Sequence, residues 1–132
     1  MKSKYILTSA SILGAIAVVL GAFAAHGLKS QLPPYLLEVF NTGVLYQFIH
    51  VLALLTCGIL IRHTHTVVAQ KYFYRAAVCF IIGILCFSGS LYALALTGIK
   101  WFGPITPFGG LLFILGWGIL AVGTTKLDEV NS

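Results

Sequence analysis

The sequence predicts an all-α, polytopic membrane protein with four transmembrane helices packed as a left-handed bundle. Three observations predict it. Charged residues make up 8% of the 132-residue chain and hydrophobic residues 59%, where a soluble domain carries about 25% charged residues. The few charges leave four uncharged runs, Tyr5–Ala25, Val39–Ile61, Ala76–Ile99 and Trp101–Thr125, of 21, 23, 24 and 25 residues. A bilayer core is crossed by about 20 apolar residues in a helix. Small residues recur along these runs with a period of about 3.5 residues, the repeat of a left-handed helical seam. The apolar runs are continuous rather than alternating, which excludes a β-barrel. They take up nearly the whole chain, so a single membrane domain, 1–132, is expected, with spans at about 5–25, 42–61, 76–97 and 105–123.

The first run follows Lys2 and Lys4 and ends in Ala22-Phe23-Ala24-Ala25, which has the look of a signal peptide. It is longer than the roughly 7–15 apolar residues of a signal core, so it is read as a retained span. A loop follows, carrying Pro33-Pro34 and then Tyr35 to Phe40, a stretch expected to form a short interfacial helix after the prolines. The second span ends near Ile61, and the basic loop Arg62–Arg75 leads into the third. A tight turn from Gly98 to Pro104 opens the fourth. His26-Gly27-Leu28-Lys29 with Pro33 aligns at an offset of 71 with Thr97-Gly98-Ile99-Lys100 and Pro104. Either the chain holds two tandem hairpins, or Gly-X-Lys is a common way to end a helix.

Orientation follows from Lys and Arg in short loops. Lys2, Lys4, Arg62, Lys71, Arg75 and Lys126 lie on one side, and Lys29 and Lys100 on the other. The expectation is both termini and the middle loop in the cytoplasm. The net charge of +5 is therefore topological; basic residues scattered singly at span ends make no nucleic-acid surface.

The small residues mark expected helix contacts. Ala10, Gly14, Ala17, Gly21 and Ala24 step by 4 and 3 in the first span, as do Cys79, Gly83, Cys86, Ser90, Ala93 and Thr97 in the third. Gly43, Gln47, His50, Leu54 and Cys57 share that rhythm in the second, and Gly109, Gly116 and Gly123 are seven apart in the fourth. In lipid, close packing replaces the hydrophobic drive between helices, so Gly14, Gly21, Gly83, Gly109 and Gly116 are the expected packing positions.

Chemistry is sparse. No carboxylate, Lys or Arg lies inside a span, and Glu38 stands only at the edge of the second. That removes the buried acid on which small four-span proton antiporters rely. Cys57, Cys79 and Cys86 match no paired zinc or disulfide spacing, and the His63-X-His65 pair is a poor metal site. No metal, cofactor or catalytic set is expected. Tyr46, Tyr92, Trp101 and Phe102 are expected at the outer interface, and Tyr72 and Tyr74 at the inner one. The remaining polar groups form a candidate layer: Tyr46, Gln47, His50, Ser88 and Ser90. His50 lies about 12 Å below the boundary of its span at about 1.5 Å per residue, and the two serines at about 8–10 Å. His50 either joins helices by hydrogen bonds, expected toward Ser88 or Ser90, or serves a ligand or ion. A haem held by His26 and His50 is disfavoured, because the two lie at different depths.

Together, Gly21-Ala22-Phe23-Ala24-Ala25-His26-Gly27-Leu28, Tyr46-Gln47 with His50, Phe87-Ser88-Gly89-Ser90-Leu91-Tyr92, and Ile105-Thr106-Pro107-Phe108-Gly109-Gly110 before Gly116-Trp117 form an ordered set. It resembles the YgdD-like family of small four-span bacterial inner-membrane proteins of unknown function. Ala24 stands where the family more often has Gly, and Pro104 and Phe108 also depart from its pattern. The resemblance covers nearly the whole chain and implies the bacterial inner membrane and no established activity. The expected function is a non-enzymatic membrane protein that interacts with lipids or a partner, a second copy of the chain among the candidates. The alternative is a small oligomeric transporter or channel lined by Gln47, His50 and Ser90.

Overall fold

The computed structural model describes residues 3–129; Lys2, one of the basic residues used to orient the chain, lies outside them. Four long helices form a bundle: α1 (Ser3–Leu28), α2 (Pro34–His63), α3 (Val67–Thr97) and α4 (Ile105–Thr124). Each is long and apolar enough to cross a membrane. No strand occurs among the described residues.

Local chemistry sets the helix ends. Pro33 is extended and Pro34 occupies the first helical position of α2, where its missing N–H costs nothing and its fixed φ suits the helix. The segment Tyr35–Phe40, expected as a separate interfacial helix, is instead the first turns of α2. Nothing between Pro34 and His63 breaks the backbone ladder. Between α2 and α3, Gln70 donates from Nε2 to the carbonyls of Thr64 (2.6 Å) and Ile61 (3.3 Å), which holds the connecting turn. Gly98 ends α3 at φ 70°, its N–H bonded to the carbonyl of Leu94, a left-handed cap that an L side chain would strain. Gly27, aligned with Gly98 by the 71-residue offset, lies inside a π-type turn, Ala24–Leu28, so the two positions differ in backbone.

The largest helix contacts are those of α3, with α4 and then with α2, and α1 packs on α2. On α1, Ala10, Ala17 and Ala24 are buried against α2. Gly14 and Gly21 lie on the same face with more room than the glycines of α4: an added Cβ would meet one methyl each, of Val51 at 3.3 Å and of Val44 at 3.4 Å. On α4 the buried stripe is Gly109, Phe113, Gly116, Leu120 and Gly123. Here contact is close. A Cβ on Gly116 would meet the Phe80 ring at 2.7 Å, and one on Gly109 would meet the Phe87 Cα at 2.8 Å.

The α3 stripe changes phase. A π-type turn at Ile84–Ser88 inserts an extra residue per turn. Before it, Ala76, Phe80 and Gly83 face the core; after it, Ser88, Leu91 and Ala95 do. Ser90 is also buried, but Cys86 and Ala93 are only half-buried and Thr97 is exposed, contrary to the straight 4-3 count. Two apolar clusters result. The larger holds Leu54, Cys57, Phe73 and Phe80, and the smaller Ala24, Phe40, Val44 and Ala95. Along α2, Gln47 is buried between Val44 of the smaller and Val51 of the larger, and Ser88 of α3 is buried beside Gly43.

Candidate functional site

The polar residues expected to form one layer divide into four hydrogen-bonded groups. Gln47, facing both neighbours of α2, donates from Nε2 to the Leu13 carbonyl of α1 (2.8 Å) and accepts at Oε1 from the Tyr92 hydroxyl of α3 (2.6 Å). One amide thus ties three helices. Ser88 donates to the carbonyl of Gly43 at 2.7 Å, where α2 has no side chain to hold α3 away. Ser90 meets Thr106 of α4 at 2.5 Å and donates to the Phe87 carbonyl at 2.9 Å.

His50 bonds to neither serine. Its Nε2 accepts from the indole Nε1 of Trp117 on α4 at 3.0 Å, and its Nδ1 lies 2.8 Å from the Tyr46 carbonyl one turn earlier. The expectation of a partner on the third span fails because the π-type turn directs Ser88 to Gly43 and Ser90 to Thr106. An indole N–H only donates. Nε2 therefore carries no proton in this arrangement, and Nδ1 carries it toward Tyr46. The imidazole also stacks on Phe113, centroids 3.5 Å apart and planes 8° from parallel.

Tyr46, His50, Phe87, Phe113 and Trp117 converge on a cleft of about 610 Å³ between α2 and α4. Both helices lean on α3 and meet each other through little besides His50 with Phe113 and Trp117. The rim residues Leu111 and Ile114 are 63% and 71% exposed, on the face that a membrane-embedded bundle turns to lipid. The cleft is thus bordered by exposed apolar side chains. Tyr46 is 38% exposed, its ring 4.7 Å from that of Phe87.

Tyr92 and Trp117 are the polar partners that sequence reasoning missed. Tyr92 was expected at the interface, yet it is half-buried and bonded to Gln47. Its spacing of four from Ser88 places it on the same face one turn on, which is the signal that could have found it. For Trp117 the signal is an indole far from either end of its span, where the N–H has no water to bond. No group of three or more metal-ligating side chains able to hold an ion occurs among the described residues. Every buried side-chain polar atom among them has a hydrogen-bond partner.

Residues 20–110 match the family described as "Protein of unknown function (DUF423)". The chain is 45% identical over 120 residues to a UPF0382 membrane protein of Staphylococcus saprophyticus, covering 88% of this chain and 96% of the relative. It is 42% identical over 127 residues to one of Haemophilus influenzae, covering 96% and 97%. It is 36% identical over 129 residues to the UPF0382 inner membrane protein YgdD of Escherichia coli, covering 98% and 95%. No solved structure matches.

Proposed function

The chain belongs to the UPF0382 family of membrane proteins, a family of unknown function, and from that premise we propose that it is a non-enzymatic protein of the bacterial inner membrane that holds a lipid-phase molecule in the cleft between α2 and α4. The observation that carries this reading is the cleft itself: about 610 Å³, walled by ring and aliphatic side chains and bordered by exposed apolar ones. Ligand sites are concave and mostly apolar, and span about 300–1,000 Å³. The polar groups behind it hold helices together. Gln47, His50, Ser88 and Ser90 are each occupied by a named partner. That engagement favours the binding reading over a transport path lined by Gln47, His50 and Ser90.

Both termini face the cytoplasm in this proposal. The basic loop between α2 and α3 and the start of α1 lie at one end of the bundle, where Arg62 donates to the Ser3 hydroxyl at 3.4 Å. The test is reconstitution into vesicles containing a phospholipid with a photoreactive acyl chain, followed by mapping of adducts. Adducts concentrated at Ile49, Gly110 to Ile114 and Trp117 are expected. Labelling no denser there than at Val18 and Val19, exposed positions on α1, would overturn the proposal.

A further inference from the structure

We infer that the cleft is shaped for a flat conjugated ring bearing a carbonyl group, the head of a quinone-class lipid-soluble molecule, rather than for a bare hydrocarbon chain. This deepens the proposed function and rests on the cleft being a binding site.

Three features carry the inference. The first is the wall. Five ring systems from three helices line it over about one helical turn, with Phe87 and Phe113 5.3 Å apart and Tyr46 4.7 Å from Phe87. Aliphatic side chains suffice to hold an acyl chain. His50 and Phe113 stack on each other, and the ring surfaces left toward the cleft offer offset and edge contacts that another flat ring returns.

The second is the Tyr46 hydroxyl. No hydrogen bond among the described residues engages it, although its ring lines the cleft within the span. The other polar side-chain atoms of the wall are occupied: both His50 nitrogens and the Trp117 N–H bond within the protein. Tyr46 is 38% exposed, so its hydroxyl is free to donate to a molecule in the cleft. A ligand carbonyl accepts its proton, and a plain chain does not.

The third is the glycine pair of α4. Gly109 is required by packing, since a Cβ there would meet the Phe87 Cα at 2.8 Å. Gly110 is not: its nearest neighbour would be the Phe87 ring at 3.7 Å, ordinary contact. What the missing side chain at Gly110 preserves is the volume of the cleft that it lines.

The experiment reads Trp117 fluorescence in the full-length protein. The chain has two tryptophans, and Trp101→Phe removes the one outside the cleft, leaving Trp117 as its reporter. One titrant is a benzoquinone with a decyl tail. The other is a brominated decyl chain without a ring. Saturable quenching by the quinone is expected. It should disappear in Gly110→Leu, persist in Gly118→Leu, whose position has nothing within 4 Å, and weaken about tenfold in Tyr46→Phe. Tyr46→Phe removes one oxygen and carries the test if Gly110→Leu does not fold. Saturable quenching by the brominated chain alone would overturn the ring inference and leave the lipid-binding reading standing. Quenching that is unsaturable for both titrants and equal in all variants would overturn both.

Discussion

Trp117 Nε1 donates to His50 Nε2 across 3.0 Å, and this is the main polar tie between α4 and α2. It exists only with a neutral imidazole protonated at Nδ1, because a ring protonated at both nitrogens would face one donor with another. Nitrogen NMR of protein labelled at histidine should show His50 with an unprotonated Nε2 and a protonated Nδ1. The opposite tautomer would mean that the indole bond is absent in the membrane.

The same pair should couple energetically. Interhelical hydrogen bonds in membranes average about 0.6 kcal/mol and reach about 1.7 kcal/mol. A double-mutant cycle of His50→Leu and Trp117→Phe, read by unfolding in detergent, should give a coupling within that range, with both single variants folded. Strict additivity would show that the stacking of His50 on Phe113, and not the bond, holds α4 in place.

Gln47 is expected to matter more than His50. It ties α1, α2 and α3 at once, and Gln47→Leu leaves both the Leu13 carbonyl and the Tyr92 hydroxyl without this partner. A buried group so stranded costs about 1–3 kcal/mol. Gln47→Leu should therefore lower the melting temperature more than His50→Leu. Tyr92→Phe, which strands only the Gln47 oxygen, should fall between the parent and Gln47→Leu.

The glycines should separate by contact. Gly109→Ala and Gly116→Ala force a Cβ against Phe87 and Phe80, and overpacking of this kind costs about 1–3 kcal/mol. Gly14→Ala meets a single Val51 methyl at 3.3 Å, which a shift of a few tenths of an ångström relieves, and Gly118→Ala meets nothing. Melting in detergent should rank Gly109→Ala and Gly116→Ala well below the parent, with Gly14→Ala and Gly118→Ala close to it. Equal losses at all four positions would mean that the α3/α4 contact is not the tight seam.

Six basic residues against two predict the sidedness. Reporters fused at Ser132, which lies outside the described residues, and within 64–70 should report cytoplasm. One within 30–34 should report the outside. The reverse pattern would refute the proposed topology and leave the helix packing unchanged.

Much of this molecule was legible in one dimension. Uncharged apolar runs located the membrane-crossing helices, because lipid admits few charges and demands an internally bonded backbone. Spacing of small residues identified the buried faces of α1, α2 and α4. It failed in α3, where Cys79 is only half-buried and the π-type turn after Gly83 shifts the helix phase and carries Ala93 and Thr97 off the seam. Depth counting placed Gln47, His50, Ser88 and Ser90 near one level, yet it could not pair them. Depth runs along the helix axis, whereas partners depend on the rotation of each helix and on which helix stands beside it.

The sequence by itself therefore determined the class, the number and order of the spans, and which side chains are polar inside them. Tertiary structure alone decided that His50 meets Trp117, that Gln47 meets Tyr92, and that Gly109 seals a contact while Gly110 leaves a cleft open. The physical reason is that burial in lipid acts on composition, which a linear chain displays. Hydrogen bonding and close packing act at a few ångströms between residues as far apart as 67 positions in the chain, and only the assembled helices bring those residues together.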